Sequence, residues 1–84
     1  MHTVEVLEQA FAVAGSLGYQ VRQEWLGGTG GGACEVGNRK LLFVDLALNH
    51  IEQLDQVMGA LAADPAIHSL RLPPALQQQF RRAA

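Results

Sequence analysis

Five of the six residues from 27 to 32 are glycines, in a segment that lies between two stretches with the pattern of β-strands. Residues with almost no side chain cannot contribute to a hydrophobic core, and glycine inside a sheet region carries an entropic cost. Positive φ angles, or close approach of the backbone to a ligand or partner, are the physical uses of such a run. It is therefore a candidate ligand or partner loop, made of Gly27, Gly28, Thr29, Gly30, Gly31 and Gly32.

The length and composition of the chain limit its size class. With 84 residues, of which 49% are hydrophobic and 17% charged, the sequence is typical of one small folded domain spanning residues 1–84. A domain of this size buries only a small core and is marginally stable. Because the core is small, we expect that the protein can form a homodimer or bind another protein partner.

Charge and cysteine content exclude several classes of function. The formal net charge of −2 leaves no basic surface for nucleic acid, since the only basic clusters are two dipeptides, at residues 39–40 and 81–82. No apolar run is long enough to cross a bilayer, so no membrane association is expected. The lone Cys34 cannot form an internal disulfide, which favours a reducing cytoplasm and predicts a small buried side chain.

Hydrophobic periodicity predicts a first helix that starts near Thr3 and is capped by Gly18. Its expected buried stripe consists of Val4, Leu7, Phe11, Ala14 and Leu17. Residues 19–25 then alternate between apolar and polar side chains, as expected of a strand with one wet face. Trp25, the last of these residues, is expected to be a core side chain, with an exposed partner anchor as the alternative.

Two further strands are predicted at residues 33–36 and 40–46, joined by a tight turn at Gly37 and Asn38. Residues 41–44 are apolar on both faces, which indicates the central strand of the sheet. Asn49 and Glu52 form a capping-box pattern, which predicts the start of a second helix.

The expected buried stripe of this second helix consists of Ile51, Leu54, Val57, Met58 and Leu61, and Asp64 with Pro65 should end it. Residues 67–72 are expected to form a short extended segment, and Pro73 with Pro74 the first turn of a third helix. The predicted fold is α+β with the order α-β-β-β-α-α. It contains a three-stranded antiparallel meander covered by helices on one face.

No recognisable catalytic constellation is present. Residues 28–33 match the G-x-G-x-x-G/A dinucleotide pattern, but a strand follows where that motif requires a helix, which favours a connection between strands over a nucleotide site. The histidines are scattered singly at positions 2, 50 and 68, so neither a metal site nor a cofactor is expected. Asp45 is expected to bond the turn at residues 47–49.

The chain contains, in this order, the segment of residues 17–22, the glycine-rich turn, residues 39–45 and residues 49–54. Together these segments resemble the opening of ImmA/IrrE-type zinc metallopeptidase domains, and the resemblance extends over residues 3–63. In that family a helix and a three-stranded meander lead into a helix whose H-E-x-x-H motif binds zinc and activates water. Here residues 59–63 read Gly-Ala-Leu-Ala-Ala. The resemblance therefore implies a shortened, non-catalytic relative, and convergence on a common small α+β arrangement is the alternative.

These observations lead to a functional hypothesis and an alternative. We expect a non-catalytic protein that associates with itself or with a protein partner, acting alone or as an inactive regulatory subunit. The alternative is a small-ligand-binding protein or enzyme. In that case the glycine run would fold over the ligand, and Cys34, Arg39 and Asp45 would supply polar contacts.

Overall fold

A computed structural model describes residues 2–83 of the chain, and the side chains of residues 2–82. Met1 and Ala84, the ends of the predicted domain, lie outside the described residues. Within residues 2–83, three α-helices, three strands and one 3-10 helix follow one another. They are α1 (Thr3–Ser16), β1 (Tyr19–Glu24), β2 (Gly32–Val36), β3 (Arg39–Asp45), α2 (His50–Ala62), a 3-10 helix (Pro65–Ser69) and α3 (Pro74–Ala83).

The predicted α+β class is confirmed, but the predicted antiparallel meander is wrong. The three strands lie in the order β1-β3-β2, with β1 parallel to β3 and β2 antiparallel to β3. Leu42 of β3 is opposite Val21 of β1 on one side and Ala33 of β2 on the other. The apolar strand β3 is central, as predicted.

The mixed order arises because the chain does not turn back beside β1. Strand β1 ends at Glu24, and residues 25–31 then cross the carboxyl end of β3 before β2 starts on the far side. The two outer strands of a three-stranded sheet lie about 10 Å apart, a distance that seven residues span easily. The hairpin between β2 and β3 closes at Val36 and Arg39 through Gly37, whose φ is +62°, as the sequence predicted.

The core lies between the helices and one face of the sheet. Leu42 and Val44 point into it, whereas Leu41 and Phe43, on the opposite face of β3, are only half-buried. The buried apolar cluster consists of Val6, Leu7, Ala10, Val13, Ala14, Leu42, Val44, Leu54, Val57, Met58, Leu61, Ile67 and Leu76. The helices therefore pack on the face that carries Leu42 and Val44.

Two predicted core positions in the helices are wrong. Val4 is 43% exposed because the buried stripe of α1 follows Val6, Ala10 and Val13, and Val4 lies to one side of it. Ile51 is 63% exposed because it lies in the first turn of α2, ahead of the buried residues of this helix, which start at Gln53 and Leu54.

Helix boundaries agree with the local signals in the sequence. Asn49 caps α2 by accepting from the amide of Glu52, and the Glu52 carboxylate accepts from the amide of Asn49 in return. Helix α2 ends at Ala62, before Asp64. The expected extended segment at residues 67–72 is wrong in its first half, because Asp64 caps a 3-10 helix through Ser69 by accepting from the amide of Ala66.

Candidate functional site

Residues 25–31, which we call the glycine loop, lie over the carboxyl end of the central strand. Parallel pairing brings the end of β1 to this end of the sheet, and antiparallel pairing brings the start of β2 to the same end. The last residue of β3 is Asp45, and its side chain is completely buried beneath the loop. The loop and Asp45 were separate predictions from the sequence, and the structure brings them together.

The carboxylate of Asp45 accepts four backbone hydrogen bonds. Its Oδ1 atom accepts from the amide nitrogens of Leu26 and Ala47, both at 2.9 Å. Its Oδ2 atom accepts from the amides of Gly28 at 2.8 Å and Gly30 at 3.2 Å. The bond from Ala47 confirms the predicted contact with the following turn. The three amides from the glycine loop were not predicted.

These hydrogen bonds determine the ionisation state of Asp45. Burial by itself would raise the pKa of the carboxyl, but the hydrogen bonds from the amides of Ala47, Leu26, Gly30 and Gly28 outweigh it and hold the pKa below its usual value. Asp45 is therefore a carboxylate at neutral pH. Its negative charge is stabilised by the loop that covers it.

The path of the loop depends on glycine at particular positions. Gly28 and Gly30 adopt φ angles of +83° and +94°, which L side chains rarely adopt, and these angles turn their amides toward Asp45. Gly31 lies directly against the backbone of β3, and a Cβ atom there would overlap the carbonyl oxygen of Phe43. Thr29 closes the turn by donating from its hydroxyl to the carbonyl oxygen of Leu26 at 2.7 Å.

The same geometry limits what the loop can do chemically. Amides that could cradle a phosphate or carboxylate of a ligand are directed at an internal carboxylate instead. Because both oxygens of Asp45 are occupied and the side chain is buried, Asp45 does not reach a surface cleft as a base or a ligand. A strand also follows the loop at Gly32, where a dinucleotide site requires a helix.

The structure does not bring the other two candidate polar residues to Asp45. Arg39 begins β3 and lies about 20 Å from Asp45 along the strand, where its guanidinium donates to Gln20 at 3.0 Å. Cys34 is opposite Leu41, about 13 Å from Asp45 along β3. These three side chains therefore do not converge on one point.

Two predictions of burial are wrong. Trp25 is 74% exposed, because the chain leaves β1 at Glu24 and the indole falls in the crossing segment rather than on the core face. Cys34 is also exposed, because it lies in an edge strand on the face opposite the helices.

A second polar cluster, which the sequence analysis missed, joins β3 to the end of α2. The Lys40 ammonium donates to Asp64 at 2.9 Å and to the carbonyl oxygen of Leu17 at 2.8 Å, and it lies 4.3 Å from the centre of the Tyr19 ring. The Tyr19 hydroxyl donates to the same oxygen of Asp64 at 2.9 Å. Hydrogen bonding from Lys40, followed by the Ala66 amide and Tyr19, lowers the pKa of Asp64 to about 2.

The lowered pKa values predict acid sensitivity. Because the folded pKa of Asp64 is about 2 against an ordinary value of 3.8, its stabilising contribution is complete above pH 3.8 and is lost as the pH falls toward 2. Asp45 acts in the same direction. We expect the Tm to fall between about pH 5 and about pH 2, and to fall less in Asp64→Asn. Thermal unfolding followed by circular dichroism checks this, and parallel profiles for the two proteins would contradict it.

Strand β2 is the most exposed regular element of the sheet. It is an edge strand, and the side chains of all four residues from 33 to 36 are exposed, on both faces of the sheet. Val36 is 60% exposed. The open face of the sheet also carries an ion pair on β1, the other edge strand, between Arg22 and Glu24 at 3.0 Å.

Neither the contacts of the glycine loop with Asp45 nor those of Lys40 and Tyr19 with Asp64 leave a local signal in the sequence. The residues that make these contacts are 15 to 45 positions apart. The available clue was the combination of two unexplained features. A glycine run follows the first strand, and an aspartate ends an apolar strand.

Among residues 2–83, no group of three or more His, Cys, Asp and Glu side chains is placed to hold a metal ion. Within the same range, no helix combines the length and the apolar character needed to cross a membrane. Comparison of the chain with known protein families, with curated proteins and with solved structures found no match.

Proposed function

We propose that this protein is a non-catalytic module that associates with itself, and that a second copy binds along edge strand β2. The observation that carries the proposal is the exposure of residues 33–36 on both faces of an edge strand. Exposed edge strands offer unpaired backbone groups to another strand, and proteins ordinarily shorten, charge or cover them. Here one charged residue, Glu35, interrupts an otherwise uncharged strand.

The hydrogen-bonding pattern of the hairpin indicates which backbone groups of β2 are available. Val36 and Arg39 close a two-residue turn and form a hydrogen-bonded pair, and the pattern then alternates along the ladder. The pairs of Ala33 with Leu42 and of Glu35 with Lys40 are therefore the non-bonded ones. The N–H and C=O groups of Ala33 and Glu35 consequently point outward, away from β3.

The side chains of β2 suit pairing with an identical strand. Full antiparallel overlap of two β2 strands places Cys34 opposite Cys34 on a two-fold axis, Ala33 opposite Glu35, and Val36 opposite Gly32. The bulkiest apolar side chain of β2, that of Val36, is then opposite the residue without one. Glu35 is opposite alanine rather than another carboxylate, and Lys40 is its neighbour within its own chain.

The small size of this contact limits its strength. Five residues per copy bury less than the roughly 1,200 Å² of stable specific complexes, so we expect a reversible dimer with a Kd in the range of about 1–100 µM.

Two observations support the non-catalytic part of the proposal. Both oxygens of Asp45 are engaged by hydrogen bonds within the chain, and residues 59–63 have the sequence Gly-Ala-Leu-Ala-Ala.

A proline substitution tests the edge contact. In Glu35→Pro the outward N–H is removed while the ladder to β3 is kept, because Glu35 does not donate to β3 and proline is tolerated in edge strands. Glu35→Thr is the matched control, since it removes the same charge but keeps the N–H and a strong strand preference.

Light scattering coupled to size-exclusion chromatography, from about 5 to about 500 µM, is the measurement. We expect the average mass of the natural protein and of Glu35→Thr to rise toward twice the monomer mass, and Glu35→Pro to remain a folded monomer. A natural protein that stays monomeric throughout would refute self-association. A Glu35→Pro variant that still dimerises would place the contact elsewhere.

A further inference from the structure

A cavity of about 310 Å³ is lined by the end of α2, the 3-10 helix, Leu72 and α3. It belongs to neither the glycine loop nor strand β2. Apolar side chains line most of its surface, and three polar side chains complete the lining. The apolar residues include Ile67, Leu72 and Phe80, and the polar residues are His68, Gln77 and Arg81.

Ile67, Leu72 and Phe80 also belong to the hydrophobic core or pack against it. Ile67 is 5% exposed, and Leu72 and Phe80 are half-buried against the same cluster. The amide of Gln77 is held in place because it donates to the carbonyl oxygen of Leu72 at 2.8 Å. The cavity therefore has apolar walls supported by the core, beside exposed groups that can donate hydrogen bonds.

The charged side chains of residues 65–84 have one sign. All eight acidic residues lie within residues 1–64, whereas residues 65–84 carry three arginines and no carboxylate side chain. Arg82 lines a different groove that also includes Asp55, and Arg71 is not part of the lining. Arg81 is the one guanidinium among the described residues that line this cavity, and no acidic side chain accompanies it there.

We propose that this cavity binds a small molecule with an apolar body and a single carboxylate, with the carboxylate at Arg81 and the apolar body against Leu72 and Phe80. A guanidinium donates two parallel hydrogen bonds to a carboxylate, and apolar walls provide most of the binding free energy for the rest of such a ligand. The volume is at the lower end of the range for ligand sites, which suits a medium-length aliphatic acid. The site is independent of self-association.

Octanoate and 1-octanol are matched probes, because they share the apolar chain and differ in charge. We would titrate each into ¹⁵N-labelled full-length protein and follow the backbone amide signals. We expect octanoate to bind with a Kd on the order of 0.1–1 mM and to shift the amides of the lining residues, with octanol at least about fivefold weaker.

Two arginine variants separate a site from general charge attraction. Arg81→Gln should weaken the binding of octanoate about fivefold and leave the affinity for octanol unchanged. Arg71→Gln removes the same charge from the same segment but lies outside the lining, and should change octanoate affinity by less than about twofold.

Three results would overturn the proposal. The first is equal affinity for octanoate and octanol, and the second is an equal loss of octanoate affinity in the two arginine variants. The third is that octanoate up to about 10 mM shifts no backbone amide signals, or shifts only signals of residues away from the cavity.

Discussion

Replacing Asp45 by asparagine is expected to lower the Tm by about 10–20 °C at neutral pH. The carboxylate accepts four backbone hydrogen bonds in a site with no exposure to solvent. An asparagine of the same shape loses the charge that strengthens these bonds, and its NH₂ group would face amide donors that need an acceptor. Differential scanning calorimetry measures the effect.

The matched control for this substitution is Asp55→Asn. Asp55 is an exposed carboxylate on α2, and its replacement removes the same charge without uncovering a buried donor. We expect the Tm of this variant to stay within about 3 °C of that of the natural protein. Equal Tm values for the two variants would show that the glycine loop does not depend on Asp45.

Replacing Gly31 by alanine is the second large effect, and it acts through sterics rather than charge. The added Cβ would overlap the carbonyl oxygen of Phe43, a backbone atom of the central strand that cannot move without breaking the pairing of β2 with β3. We expect a loss of about 3 kcal/mol in the free energy of unfolding, measured by urea denaturation.

Replacing a glycine that lies in open space is expected to raise the free energy of unfolding instead. Gly59 lies in α2, and a Cβ there would meet no atom within 4 Å. Gly59→Ala should therefore stabilise the protein by about 0.5–1 kcal/mol, because alanine favours the helix. If Gly31→Ala were as stable as the natural protein, the glycine loop could not lie against β3 as described.

The local elements of this fold could be predicted from the sequence because their signals are local. The turn at Gly37, the capping box at Asn49 and the end of α2 before Asp64 each depend on residues within four positions of one another. The strand order could not be predicted in the same way. Neither parallel pairing of β1 with β3 nor the crossing of residues 25–31 leaves a periodic pattern in the chain.

The candidate site was predictable only in part, for the same reason. The unusual glycine content and the isolated Asp45 were both visible in the sequence, but their contact depends on which strand lies between β1 and β2. Trp25 and Cys34 were wrongly assigned to the core, because alternation of polarity does not show where a strand ends or which strand is at an edge. Edge exposure of β2 is likewise a property of the topology.

Amide hydrogen exchange in the glycine loop tests the central claim most directly. If the loop closes on Asp45, the amides of Leu26, Gly28 and Gly30 exchange slowly in the natural protein, and they lose this protection in Asp45→Asn at a temperature where that variant is still folded. Fast exchange of these three amides in the natural protein, at the rate of an unprotected loop, would contradict the account.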